Sequence, residues 1–148
     1  MTDTFPGAFP DARTDRPIGY WLRHIDGALS ANLGRLLAED GLTRRGWQVL
    51  NTVSYEPVTI ADLDRTLDAF ISPDEPTMRP QVERLAELGW ARLDGDTAEL
   101  TGEGVRAHRR IRDAIGVQRA RMTECFTPDE FGSLMEMLRR FAAHLETV

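Results

Sequence analysis

The apolar residues of this sequence depart from helical spacing in one stretch only. Up to Gly89 they recur in steps of three and four, in "WARLDGDTAEL" (Trp90 to Leu100) they alternate, and from Thr101 the longer steps return. Steps of three and four mark one face of a helix, and alternation marks a strand. Asp94-Gly95, inside the alternating stretch, is a tight-turn signal. The chain is therefore mainly α, with a single short hairpin set between helices. One turn signal leaves no room for a large sheet.

The helices can be bounded from their caps. The first is expected from about Pro17 to Glu39, with Asp15 as cap and Gly41 as stop. Its apolar face is Ile18, Trp21, Leu22, Ile25, Leu29, Leu33, Leu36 and Leu37, long for so small a protein. The second runs from about Arg44 to Tyr55, capped by Thr43, with Trp47, Leu50 and Val53 or Ser54 inward. The third starts at Thr59, which has the capping-box spacing to Asp62. A loop, "DAFISPDEP", leads to a fourth helix ending at Gly89, with Val82, Leu85 and Ala86 inward. Thr101 opens a fifth, to about Cys125, with His108, Ile111, Ile115, Gln118 and Met122 inward. The sixth begins at "TPDE", where Thr127 caps, Pro128 takes the first position and Glu130 closes the box. Its stripe is Phe131, Leu134, Met135, Leu138, Phe141, Ala142 and Leu145. Residues 1–14 lack periodicity and read as a flexible arm.

Three short helices followed by a two-stranded wing is the winged helix-turn-helix plan, in which the second helix of the turn enters the major groove. The expected fold is a single winged-helix domain over 15–148. Its reading head spans 43–101, with a small two- or three-stranded wing. The outer helices, 15–40 and 104–148, carry more apolar face than this core can cover. A second copy of the chain is their expected partner, in a two-fold dimer.

Composition limits the functions available. No apolar run approaches the roughly 18 residues of a membrane span, and no signal peptide is expected. The lone Cys125 fits a reducing cytoplasm and reads as buried and inert. His24, His108 and His144 show no metal-ligand spacing. There is no phosphate loop, nucleophile elbow or convergent carboxylate pair, so neither an enzyme nor a cofactor is expected. All 18 basic residues are arginine, and the net charge is −6. Any attraction to nucleic acid must therefore come from a local patch.

The stretches "IGYWLRHIDGALSANLGRLLAEDGLTRRGWQVLNTV", "VTIADLDRTL", "PTMRPQVERLAELGWARL" and "LTGEGV" span Ile18 to Val105. Together they resemble the MarR family of bacterial transcription regulators. The resemblance implies a cytoplasmic homodimer that binds double-stranded DNA at a pseudo-palindromic operator. It also implies a response to a small, often aromatic ligand held between the dimerisation helices and the head. The sequence departs from the family pattern in three places: Pro80 within the reading helix, a longer loop before that helix, and a shorter, acidic wing.

Under this resemblance Arg79 and Gln81 lie where base edges are met, arginine suiting guanine and glutamine adenine. Thr77 caps the helix or touches the DNA, capping being the simpler role. Arg84 forms a surface pair with Glu87 or Asp94, or reaches DNA. Arg92 on the wing, and Arg44 and Arg45 in the first turn of the second helix, are candidates for phosphate contact. Tyr20, His24, Trp47, Tyr55, His108 and Met122 are candidates for an aromatic ligand pocket, or are simply core. Pro80 fits the third helical position if Thr77 caps, or the first if Arg79 caps. Either way a late helix start is expected, because a residue before proline avoids helical geometry.

Charge weighs against tight DNA binding. From Glu56 to Leu100 eleven acids face four arginines, a balance of −7. A DNA binder neutralises roughly six to ten phosphates, more than this head offers alone. Arg44, Arg45, Arg106, Arg109, Arg110 and Arg112 flank it. Weak, salt-sensitive binding is the expectation. The alternative is a degenerate dimer that has lost DNA binding and serves as a small-molecule or protein-binding module.

Overall fold

The structure, a computed structural model, describes residues 16–148. The expected arm 1–14 and the Asp15 cap lie outside the described residues. Packing divides the chain into two compact units, one to Val105 and one from Arg106 to Val148.

In the first unit, α1 (Ile18–Ala38) is followed by α2 (Arg44–Val53), β1 (Val58–Thr59), α3 (Ile60–Thr66), a 3-10 turn (Asp68–Phe70), α4 (Arg79–Glu87), β2 (Ala91–Asp94) and β3 (Thr97–Leu100). The α1 stop is where Gly41 implied it, because the left-handed turn there needs a residue tolerant of φ 72. The Leu42 N–H then donates back to the Leu37 carbonyl at 3.0 Å, closing the helix end. Thr43 and Thr59 cap α2 and α3 by accepting the N–H groups of Gly46 and Asp62, both at 3.1 Å.

Leu50, Leu63, Met78, Val82 and Leu85 are fully buried, and α2 packs against α4. The buried face of α4 is Val82 and Leu85, whereas Ala86, expected inward, is exposed. Met78, just ahead of the helix, takes that place in the core.

The sheet has three strands in the order β1-β3-β2, all antiparallel. Leu93 and Val58 both stand opposite Ala98 on the central strand. Ala98 is fully buried, so the sheet has one core face. Only two residues, Gly95 and Asp96, separate β2 from β3.

Thr101 ends the hairpin and caps the next helix. Its hydroxyl donates to the Gly89 carbonyl at 2.6 Å and accepts the Gly104 N–H at 3.0 Å. Helix α5 (Gly102–Met122) leads from there into the second unit, which also holds α6 (Pro128–Leu145). Ala107, Ile111 and Ile115 are buried, with His108, Gln118 and Met122 half-buried. Because α5 stops at Met122, Cys125 falls in the connection and is exposed, which corrects the expectation of a buried thiol. The capping box at Thr127 forms in both directions: its hydroxyl accepts the Glu130 N–H at 3.1 Å, and Glu130 Oε1 accepts the Thr127 N–H at 2.8 Å. No residue of α6 is fully buried.

Candidate nucleic-acid interface

Helix α4 begins without a cap from its own N-cap residue. That residue is Met78, rather than Thr77 or Arg79 as the sequence suggested. Asp64, from α3, does the capping. Its Oδ1 accepts the Met78 N–H at 2.7 Å and its Oδ2 the Thr77 hydroxyl at 2.8 Å. Thr77 Oγ1 in turn accepts the Arg79 N–H at 3.2 Å. Pro80, at the second helical position, has no N–H to satisfy. The Gln81 N–H turns back to the Met78 carbonyl at 3.0 Å. Every N–H of the first turn thus has a partner within the protein. The late start holds, and the preference of Arg79 against helical geometry is overridden by this anchoring.

With its first-turn N–H groups satisfied, α4 has side chains to offer a ligand there. Arg79 stands at the first position of α4 and its side chain is 39% exposed. Gln81 is half-buried beside α2, where a Cβ on Gly46 would lie 3.6 Å from its Oε1. Each of the four arginines between Glu56 and Leu100 is held by a carboxylate of the same span. Arg79 pairs with Asp96 at 2.6 Å, Arg92 with Glu99 at 3.1 Å, Arg84 with Glu87 at 3.6 Å, and Arg65 with Asp62. The Arg92 pair follows from register, since Arg92 stands directly opposite Glu99.

Of the flanking basic residues, exposed Arg44 donates to Ser30 Oγ at 2.9 Å. Arg45 lies 3.4 Å from Glu75 and its side chain is only 19% exposed. Its Nη1 is buried, with no hydrogen-bond partner among the described residues. A phosphate role suits the exposure of Arg44 better than that of Arg45.

The pocket candidates fall in both units. In the first, Tyr20 and His24 stack one helical turn apart on α1, with ring centroids 5.7 Å apart and planes at 14°. Trp21 meets both edge-on, and the Arg16 guanidinium lies 4.9 Å above the Tyr20 ring. Trp47 is buried in the core, and Tyr55 is 82% exposed. In the second unit, His108 and Met122 are half-buried on α5. Burial, and then the Arg112 charge, push the His108 pKa below its ordinary value.

No family model matches the sequence, and no curated protein matches it. Solved structures do match the fold. The Mycobacterium tuberculosis MarR family protein Rv2887 superposes with a TM-score of 0.70 at 23% identity, over 89% of this chain and 99% of that one. Escherichia coli MarR in its reduced form gives a TM-score of 0.69 at 19% identity, over 87% and 96%. This is the MarR fold. Rv2887 has also been solved in complex with DNA, where it matches with a TM-score of 0.68 at 24% identity over 86% of this chain and 98% of that one. Its complex with salicylic acid matches with a TM-score of 0.62. In the MarR fold α4 is the second helix of the helix-turn-helix and β2-β3 is the wing.

Two residues of this site escaped sequence reasoning. Asp64 acts on a residue 14 positions away, and Asp96 on one 17 positions away. The available signal was an excess of carboxylates around few arginines, which gives the charge but not the pairing.

Proposed function

We propose that this protein is a DNA-binding transcription regulator of the MarR type, acting in the cytoplasm as a homodimer. The observation that carries this is the side-chain pair Arg79 and Gln81 on the first turn of α4, on a fold whose relative Rv2887 has been solved with DNA. Both side chains donate hydrogen bonds, and those of an arginine and a glutamine match guanine and adenine edges in the major groove. Arg44 and Arg92 supply phosphate contacts. Arg45, Thr77 and Arg84 shape the approach.

The dimer is supported by uncovered apolar surface. Ile18, Trp21, Leu22, Ile25 and Leu29 are exposed along one face of α1, and Met135, Phe141 and Leu145 along α6. Large apolar stripes on monomers mark interaction sites. A small aromatic acid is the proposed effector, by analogy with the salicylic acid complex of Rv2887. The Tyr20–His24 stack offers an aromatic surface and a ring nitrogen for it. No described helix is long and apolar enough to cross a membrane.

A gel shift with the DNA upstream of the protein's own gene, at several salt concentrations, tests the proposal. Binding that weakens steeply with salt is expected. Absence of binding at about 50 mM salt without ligand would overturn it, since electrostatic affinity is greatest at low salt.

One observation favours a second reading. All four arginines between Glu56 and Leu100 are already paired with acids of that span, as expected of a MarR-like module that no longer binds DNA and recognises a small molecule or a protein. That reading gains if the gel shift fails while the dimer persists.

A further inference from the structure

Asp96 occupies the two-residue connection of the wing, and its backbone is held on both sides. Gly95 before it takes φ 61, while no described non-glycine residue has positive φ, the φ pattern of a type II′ turn. The Asp96 carbonyl accepts the Ile60 N–H at 2.8 Å, tying the turn to the start of α3. Thr97, next in sequence, stands opposite both Asp94 and Thr59. The turn is fixed, and its carboxylate meets the first residue of the reading helix: Arg79 Nη2 donates to Asp96 Oδ1 at 2.6 Å.

This pair differs from the other three formed by arginines between Glu56 and Leu100. Arg65–Asp62 and Arg84–Glu87 are neighbours on one helix, and Arg92–Glu99 lies within one hairpin. Arg79–Asp96 joins the wing to the reading helix. The guanidinium N–H groups that engage a carboxylate are the ones that would engage guanine or a phosphate. A carboxylate and DNA cannot hold the same donors together.

We propose that Asp96 is an affinity- and specificity-determining residue, an internal competitor whose carboxylate occupies Arg79 in place of DNA. The proposal rests on the DNA-binding function above. DNA recruits Arg79 only by displacing Asp96, so the wing sets how readily the reading helix gives up its arginine. The Asp96 side chain is 77% exposed, and exposed pairs of this kind hold on only modestly. The restraint is therefore a few-fold, about two to five.

The test uses the full chain, with the duplex upstream of its own gene and a random-sequence duplex of equal length, followed by fluorescence anisotropy. Asp96→Asn weakens the competitor and Asp96→Ser removes it. Both are expected to raise affinity for the upstream duplex about two- to five-fold, Asp96→Ser at least as much as Asp96→Asn. In an Arg79→Ala background the gain must fall to the size that Asp94→Asn gives. Asp94→Asn removes the same charge from the same hairpin and reports the general electrostatic effect, which Arg79→Ala leaves in place. A gain that survives Arg79→Ala undiminished, or that in the wild-type background merely equals that of Asp94→Asn, overturns the proposal. Unchanged affinity in both Asp96 variants, beside a wild type that binds, overturns it while leaving the DNA-binding function standing. Failure of wild type and every variant to bind either duplex overturns both.

Discussion

Gly104 lies against the backbone of Trp90 so closely that a Cβ built on it would stand 1.9 Å from the Trp90 carbonyl oxygen. That carbonyl also accepts the Thr101 N–H at 3.0 Å, so it cannot swing aside without losing a hydrogen bond. The contact fixes the first turn of α5 on the strand entrance that follows α4. Gly104→Ala gains about 1 kcal/mol of helix propensity but forces backbone against side chain, as overpacked cores do at a cost of ~1–3 kcal/mol or more. A net loss is expected, visible as a melting temperature lower by several degrees. A variant as stable as the wild type would show that the helix start moves freely.

The Asp64 relay predicts a second stability effect. Met78 is fully buried, and its N–H has Asp64 as acceptor. Asp64→Ala leaves that donor without its acceptor and frees the Thr77 hydroxyl, costing about 1–3 kcal/mol. Asp64→Asn keeps a carbonyl acceptor and recovers part of the loss. Urea unfolding measures both variants, and faster amide exchange should concentrate at Met78, Arg79 and Gln81. Equal stability of Asp64→Ala and wild type would show that α4 needs no cap from α3.

What the sequence made legible was local. Thr43, Thr59 and Thr127 each cap an N–H three residues on, so their signals fit in one short window. Asp94-Gly95 announced the hairpin for the same reason. The start of α4 was legible only in part: Pro80 required a late start, but the cap comes from another helix. The two residues of β1 carry no pattern of their own and become a strand only by pairing with β3. Charge counting gave the acidity of the head, whereas the arginine pairs depend on register and on the wing turn. Cys125 reads as buried on residue type alone, and it is exposed because α5 ends at Met122, before reaching it.

DNA recognition separates two kinds of arginine. Arg79→Ala is expected to cost about 1–3 kcal/mol at one base position and relax the sequence preference there. Arg44→Ala should weaken all sequences alike and flatten the salt dependence by roughly one unit of slope. Arg45→Ala should also weaken all sequences, but its half-buried side chain, paired with Glu75, makes a loss of stability part of the result. Competition binding with a library of single-base operator variants reads these effects. If Arg79→Ala and Arg44→Ala give the same profile, α4 does not read bases through Arg79.

His108 is expected to make the fold sensitive to mild acid. Its pKa is lowered in the folded state, first by burial and then by the Arg112 charge. The unfolded chain, with the ordinary value of 6.5, takes up the proton first as pH falls. The unfolded state therefore binds more protons between the two values, and stability rises with pH through that window. The stabilisation is present above pH 6.5 and is lost as pH falls from there toward the folded value. His108→Gln should flatten that part of the stability–pH curve without changing it above neutrality. An unaltered slope would assign the acid sensitivity to the carboxylates.

The apolar stripe of α1 predicts the oligomeric state. Trp21 is 47% exposed, with Ile18, Leu22, Ile25 and Leu29 exposed on the same face. Their steps of one, three and four keep them together along the helix, so one flat partner covers them all. Each large side chain removed from water contributes about 1.5–3 kcal/mol, and an aromatic anchor at an interface commonly carries more of the binding than its neighbours. Trp21→Glu places a charge in the middle of the stripe, where pairing with a second copy would bury it. The wild type should sediment as a dimer at micromolar concentration, and Trp21→Glu as a monomer or a much weaker dimer. Helix content should remain close to that of wild type, because Trp21 lies outside the buried core. A two-fold operator needs both heads, so the same variant should also lose the cooperative gel shift while keeping weak binding to a half-site. A wild type that sediments as a monomer throughout that range would refute the dimer. A dimer that Trp21→Glu leaves unchanged would move its interface off α1.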